Sequence, residues 1–349
     1  MSILPKIIII GGTALSETGK YHVVVLTRNK SSDQAQTLAA LPRVSLFEGT
    51  YTNEPDIWAL FHGAYGAFVN TDGFVIGEKA ELFWGMRIFE IAVAQGITHY
   101  VWGGVYYLTK LGGYDLKYRS GHMDGKGRVS EWLLAQKLKE VTVTVFTTCG
   151  YANMFWDGQR APVKNDDGSF TFYSSIGDGV LPVIALEDIG PYITWIFDHR
   201  ERADNMDLIA VTDILTYPAV VSAFERVTGT KATWKDLPYE EFATLTRMTD
   251  NIPAAFAAGP GEYHDPTGLS LKENFRGWWQ GWRDSLATWD MVDVKLLDEI
   301  HPERMRSLEE WMHKVGFNGE RKPFLKDYAV MASRLKDAEV LRRHLAGQQ

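Results

Sequence analysis

The first half of the chain alternates short, apolar, β-branched runs with longer segments of helical period, and that alternation leaves few folds open. The runs are Lys6–Ile10, His22–Leu26, Val44–Phe47, Gly66–Val69, His99–Val101 and Val141–Phe146, and each reads as a buried strand. Between them lie stretches such as Lys79–Gln95, where Leu82, Phe83, Met86, Ile88, Phe89 and Ala92 form one apolar stripe. Strands separated by helices pair in parallel, so the expected fold is α/β with a doubly wound, mostly parallel, Rossmann-like sheet. After about Asp157 the pattern changes. A turn-rich loop, Val163 to Gly168, leads through Phe170–Tyr173 and Val180–Ala185 into mostly helical sequence. We read 1–157 as the sheet domain and 158–349 as a smaller, mainly helical part that packs over the carboxyl ends of the strands, where such folds take their substrate.

Bulk properties exclude several classes of function. A net charge of -8 and a pI near 5.6 leave no clustered basic surface for nucleic acid. The single cysteine, Cys149, rules out an intrachain disulfide framework and fits a reducing compartment. The apolar run at the N-terminus, Ile7 to Ile10, is too short for a secretory segment or a membrane span. A cytoplasmic protein without membrane or nucleic-acid partners is expected, and no metal site is read. Self-association into a homodimer stays open.

The chemistry begins where the first strand ends. Ile10 runs into Gly11-Gly12-Thr13, a glycine turn of the kind that lets backbone approach a pyrophosphate, although only two of the usual three glycines are present. The second strand ends Leu26-Thr27-Arg28-Asn29-Lys30. An NAD-preferring site would place an acid here to accept bonds from the ribose hydroxyls. Arg28 and Lys30 instead suit the extra 2′-phosphate of NADP(H), unless they are simply a solvated pair at a strand end.

Several motifs in the same order make the chain resemble the NmrA-like family of atypical short-chain dehydrogenases, whose relatives include isoflavone-reductase-like proteins. They are Leu26-Thr27-Arg28-Asn29, Phe47-Glu48-Gly49-Thr50, His122-Met123-Asp124-Gly125-Lys126-Gly127 leading into Val129-Ser130-Glu131-Trp132, Thr148-Cys149-Gly150-Tyr151-Ala152-Asn153, and Glu187-Asp188-Ile189-Gly190. The resemblance implies NADP(H) as cofactor, with Thr71 near it, Lys126 on the nicotinamide ribose, and Gly150, Tyr151 and Asn153 lining the nicotinamide end.

The departures from that pattern define the questions. Ordinary short-chain dehydrogenases carry Tyr-x-x-x-Lys, but the position four before Lys126 is His122, and the fifth strand ends Trp102-Gly103-Gly104 without the usual serine. A His122/Lys126 pair could support reduction of a small carbonyl, enone or imine, with His122 as proton donor. His122 could equally cap the helix that follows, and Tyr106 and Tyr107 are alternative acids. Phe83 stands where some relatives have a cofactor-contacting lysine. The stretch Phe275 to Trp289 is either a lid over a fairly hydrophobic small-molecule substrate or a helix packed on the sheet domain. Two functions therefore remain, an NADP(H)-dependent oxidoreductase or a non-catalytic NADP(H) sensor acting through protein partners.

The first crossover is short. Lys6 to Arg28 spans 23 residues, against about 30 or more for a complete βαβ unit. The seven residues Ala14 to Lys20 would cover only about 10 Å as helix, so an extended or single-turn connection is expected. The helix N-terminus that faces a pyrophosphate would be mostly lost, and with it much of the cofactor affinity.

Overall fold

The computed structural model describes residues 4–11, 19–248, 250 and 268–323. Its main sheet has seven strands in the order β11-β6-β5-β4-β1-β2-β3. Six come from the runs read in the sequence: β1 (Lys6–Ile10), β2 (His22–Thr27), β3 (Val44–Glu48), β4 (Gly66–Val69), β5 (His99–Val105) and β6 (Thr142–Thr148). The seventh, β11 (Met206–Ile209), comes from the second half and extends the sheet beyond β6. Every neighbouring pair is parallel. The doubly wound α/β fold expected from the sequence is thus present.

The β1 side chains alternate between two cores. Ile8 and Ile10 pack with Ala67, Val69, Tyr100 and Trp102 under α2 (Glu54–Phe61), α3 (Gly73–Ala94) and α5 (Gly121–Gln136). Ile7 and Ile9 face the opposite way, toward Tyr192, Ile193, Ile196 and Phe197 of α6 (Ile189–Asp198). The remaining first-half helices are α1 (Asp33–Ala39) and the short α4 (Leu108–Leu111). α3 is interrupted at Gly77, whose φ of 79° is not helical.

The second region carries two small sheets as well as helices. One joins β12 (Asp213–Leu215), β10 (Leu181–Ile184) and β7 (Gly150–Tyr151), and the other joins β13 (Ala232–Asp236), β9 (Phe170–Ser174) and β8 (Val163–Lys164). Around them lie α7 (Tyr217–Thr228), α8 (Tyr239–Leu245), α9 (Leu271–Arg283), α10 (Val294–Ile300) and α11 (Leu308–Val315). Asp188, in the second-half signature, has a structural task. Its buried carboxylate accepts bonds from the Met305 amide at 3.0 Å and from His301 Nε2 at 3.2 Å, tying α6 to the segment between α10 and α11.

The first crossover leaves β1 at Ile10 and returns at His22, in register with Lys6. Its exit is anchored to α6, because Tyr21 Oη donates to Asp198 at 2.8 Å and Lys20 pairs with the same carboxylate at 2.5 Å. Gly12, Thr13 and residues 14–18 lie outside the described residues. Among those described, no helix is long and apolar enough to cross a membrane.

His99, at the start of β5, is fully buried against Phe197, and desolvation lowers its pKa to about 3. Above about pH 6.5 the folded and unfolded imidazoles are both neutral. Below it the unfolded chain takes up a proton that the folded chain refuses, so stability falls with acid by up to about 1.4 kcal/mol per pH unit. Urea midpoints measured from pH 7 to pH 4 should show this fall, and His99→Phe should flatten it. An unchanged slope in the variant would assign acid sensitivity elsewhere.

Candidate functional site

β1 and β4 are neighbours from which the chain goes on to β2 on one side and to β5 on the other, the switch point beyond which a doubly wound fold has its ligand crevice. Lys126, one turn into α5, projects to that point and is almost fully buried. Its Nζ donates to Asn70 Oδ1 at 3.0 Å, to the Thr71 carbonyl at 2.6 Å and to Thr71 Oγ1 at 3.2 Å. It also lies 3.1 Å from Glu81 Oε1. Glu81, on α3, has no exposed surface; Oε1 accepts from the Thr71 hydroxyl at 2.7 Å, while Oε2 has no partner. Burial pushes the Glu81 carboxyl up, and the Lys126 charge and hydrogen bonds from Thr71 and Lys126 pull it back. The first turn of α5 is pinned by Asp124, which accepts from the amides of Ser120 at 3.2 Å and Thr109 at 3.0 Å and from the Thr109 hydroxyl.

The missing serine has a geometric counterpart. A side chain at Gly103 would meet Asn70 Cβ at 2.9 Å and displace the residue that Lys126 bonds. Gly11 is constrained similarly, because its φ is 75° and a side chain there would collide with the Asn70 carbonyl.

From this cradle a polar line runs to the second strand. The Asp72 amide donates to Tyr51 Oη at 3.3 Å, and the Tyr51 phenol, raised to about 12 mainly by burial, feels the positive charge of Arg28. Arg28 itself is exposed just past β2. Lys30 is exposed too, and its amide donates to Glu48 Oε2 at 3.0 Å, which brings a carboxylate next to the two cations. Asn70, Glu81 and Tyr51 were not singled out in the sequence. Tyr51 directly follows the Phe47–Thr50 motif, the one signal that pointed toward it.

His122 sits one turn before Lys126, stacked on Phe74 at 4.4 Å between ring centroids and tilted against Phe275 at 5.6 Å. Its Nδ1 lies 3.1 Å from Ser120 Oγ and 2.8 Å from Asn274 Nδ2. Desolvation, with a smaller push from Lys126, lowers the imidazole to about 4, so it is neutral at pH 7. Its side chain bonds Asn274 of α9, while Asp124 secures the start of the helix. Of the alternative acids, Tyr107 Oη accepts from Arg128 Nε at 3.0 Å. Tyr106 Oη is buried without a partner, and burial raises its pKa.

Gly150 and Tyr151 form β7 at the end of β6, and the Tyr151 phenol is raised mainly by burial, with a contribution from Asp72. Asn153 is buried, and its Oδ1 has no donor. Phe83 does not enter the site. It is 55% exposed and stands edge-on to Trp84 on the outer face of α3. Trp278, Trp279 and Trp282 of α9 are buried, as a packed helix requires, and Phe275 and Asn274 of the same helix face His122. Among the described residues, no group of His, Cys, Asp or Glu is arranged to hold a metal.

Comparison with known proteins identifies relatives of this arrangement. The model of the NmrA-like family matches residues 10–273. The NmrA-like family domain-containing oxidoreductase lnaB of Aspergillus flavus is 27% identical over 248 residues, covering 66% of this chain and 73% of that protein. Among solved structures, NmrA, a negative transcriptional regulator in complex with NAD, superposes with a TM-score of 0.68 at 18% identity, covering 90% of this chain and 96% of that one. The NADPH-dependent quinone oxidoreductase of Escherichia coli in complex with NADPH gives a TM-score of 0.66 at 14% identity, covering 89% and 99%. At these identities the structural likeness establishes the fold, and the relatives bind either NAD or NADPH.

The ion pair in the cradle predicts an asymmetric mutational response. Removing one member of a buried pair leaves the other uncompensated, at a cost of about 3–5 kcal/mol. Lys126→Met should approach that loss in urea unfolding, and Lys126→Met combined with Glu81→Leu should recover a large part of it. Additive losses in the double variant would mean that the two side chains are not coupled.

Proposed function

This chain belongs to the NmrA-like family, and from that premise we propose that it is an NADP(H)-dependent oxidoreductase that reduces a small carbonyl, enone or imine compound. The polar line from Arg28 through Tyr51 and Asp72 to Lys126 carries this reading, because it follows the strand ends along which a dinucleotide lies in a doubly wound sheet. The residues fit such a cofactor at both ends. Arg28 is exposed and free to meet a 2′-phosphate, and Gly11 at the end of β1 has room for no side chain beside Asn70. The middle of the glycine turn, Gly12 and Thr13, falls outside the described residues.

When bound, NADPH supplies the hydride. Lys126 would turn one ammonium hydrogen from its cradle to a ribose hydroxyl, with Glu81 and Thr71 holding the other two. Asp124 fixes the helix that carries it. The accepting oxygen or nitrogen of the substrate then needs a proton. His122, neutral at pH 7 and with Nδ1 engaged by Ser120 and Asn274, would donate an Nε2–H hydrogen bond that polarises that atom, while water delivers the proton. Phe74 and Phe275, stacked on each other at 5.8 Å, both pack on the imidazole and favour an apolar substrate. The likeness of fold to NmrA supports the second reading, a cofactor-sensing regulator without turnover. Substrate-dependent oxidation of NADPH separates the two.

Arg28→Ala should weaken NADPH binding more than tenfold, in line with about 1.5–3 kcal/mol for a charge-assisted bond, and leave NADH nearly unchanged. Fluorescence titration of both cofactors checks it. Equal losses for both would remove Arg28 from the 2′-phosphate and leave Glu48 as the group that reads the ribose. His122→Phe should lower turnover by about 10²–10³-fold, the loss seen when one preorganised donor is removed. With the imidazole neutral across the working range, turnover should show no His122 limb near pH 6.5. A limb near pH 6.5, or unchanged turnover, would contradict this role.

A further inference from the structure

A guanidinium inside a protein normally meets a carboxylate, since a buried charge without a counter-charge is strongly disfavoured. Arg160 departs from that rule. It ends the 3-10 turn Gly158–Arg160 and is 3% exposed, yet it forms no ion pair among the described residues. Its Nη1 donates at 3.4 Å to the Tyr151 carbonyl, and its Nη2 donates to nothing. The guanidinium occupies the space that any side chain at Gly150 would need. One of its faces is covered by Trp278, with 5.1 Å from its central carbon to the ring centroid.

Among the described residues, none supplies it with negative charge. The groups that act on it are the Cys149 thiol and the Tyr217 phenol, and burial holds both in their neutral forms. Tyr217 Oη is itself buried and without a partner among the described residues. Native interiors leave few polar atoms unsatisfied, so a cluster of them calls for a missing partner. The cluster also adjoins the Lys126 crevice. Trp278, which covers Arg160, packs on Phe275, and Phe275 packs on His122.

We propose that Arg160 is the anion subsite of the substrate pocket and receives the carboxylate of an otherwise apolar substrate, with the Tyr217 hydroxyl as a second donor and Trp278 as the wall behind the guanidinium. This deepens the oxidoreductase reading by naming its substrate class, and the binding step can be measured without turnover. Two ligands of one shape separate charge from fit: cyclohexanecarboxylate and its neutral isostere cyclohexanecarboxamide, each titrated against the tryptophan emission of the full chain, with and without NADPH. The carboxylate should bind at least tenfold more tightly than the amide. Arg160→Met should erase that preference, Arg160→Lys should keep part of it, and Arg160→Met should melt no lower than the unaltered chain, because it removes a charge the fold does not pair. Equal affinity for the two ligands, no carboxylate binding at millimolar concentration, or an undiminished preference in Arg160→Met would overturn the proposal. If Arg160→Met does not fold, the ligand pair on the unaltered chain decides the matter. A carboxylate preference without any NADPH oxidation would keep the subsite and reject the reductase, whereas NADPH oxidation without that preference would do the reverse.

Discussion

The ion pair between Lys126 and Glu81 sets the terms for the rest of the site. A carboxylate with no exposed surface is tolerable only beside a cation and hydrogen-bond donors, and Glu81 has Lys126 and the Thr71 hydroxyl. To bring these groups together, α3 and α5 must pack side by side and the end of β4 must lie between them. That places a nearly buried ammonium at the point where the sheet reverses its winding, which is where a doubly wound fold binds its ligand. A structural requirement of the core and a chemical requirement of the crevice are met by the same three residues.

The fold was legible because its signals are local. Short apolar runs rich in β-branched residues marked six strands, and the bounds of β1 and β4 coincide with the runs read from sequence. The seventh strand, Met206–Ile209, is broken by Asp207 and has no β-branched residue before Ile209, and it depends on pairing with β6. The apolar stripe of the long helix was right at Ile88, Phe89 and Ala92 but not at Phe83, which points to solvent. A helical period identifies a stripe, whereas the kink at Gly77 and the packing of α5 decide which edge of it is covered.

The site was legible only in part, and for a related reason. Lys126, His122, Thr71 and the Gly150–Asn153 segment stood in recognisable motifs. Glu81, Asn70 and Arg160 did not, because a buried polar residue is defined by partners far away in sequence. Glu81 sits in a helix where an acid reads as a solvated side chain, and Lys126, its counter-charge, is forty-five positions distant. His122 shows the opposite limit. Its position was visible, but its neutral state follows from burial beside Phe74 and Phe275, which outweighs the opposing bond to Asn274. The aromatic helix α9 likewise has two duties, since its tryptophans fill the core while Asn274 and Phe275 shape the crevice.

The central claim is that the strand ends from Arg28 to Lys126 form one cofactor groove. Hydrogen–deuterium exchange of the full chain, with and without NADPH at saturating concentration, tests it directly. The account predicts slower exchange at the amides of Arg28 to Lys30, Asn70 to Asp72 and Gly150 to Asn153, with no change at the outer face of α3 around Phe83. Unaltered exchange at all three segments under saturating cofactor, or protection confined to another surface, would contradict it.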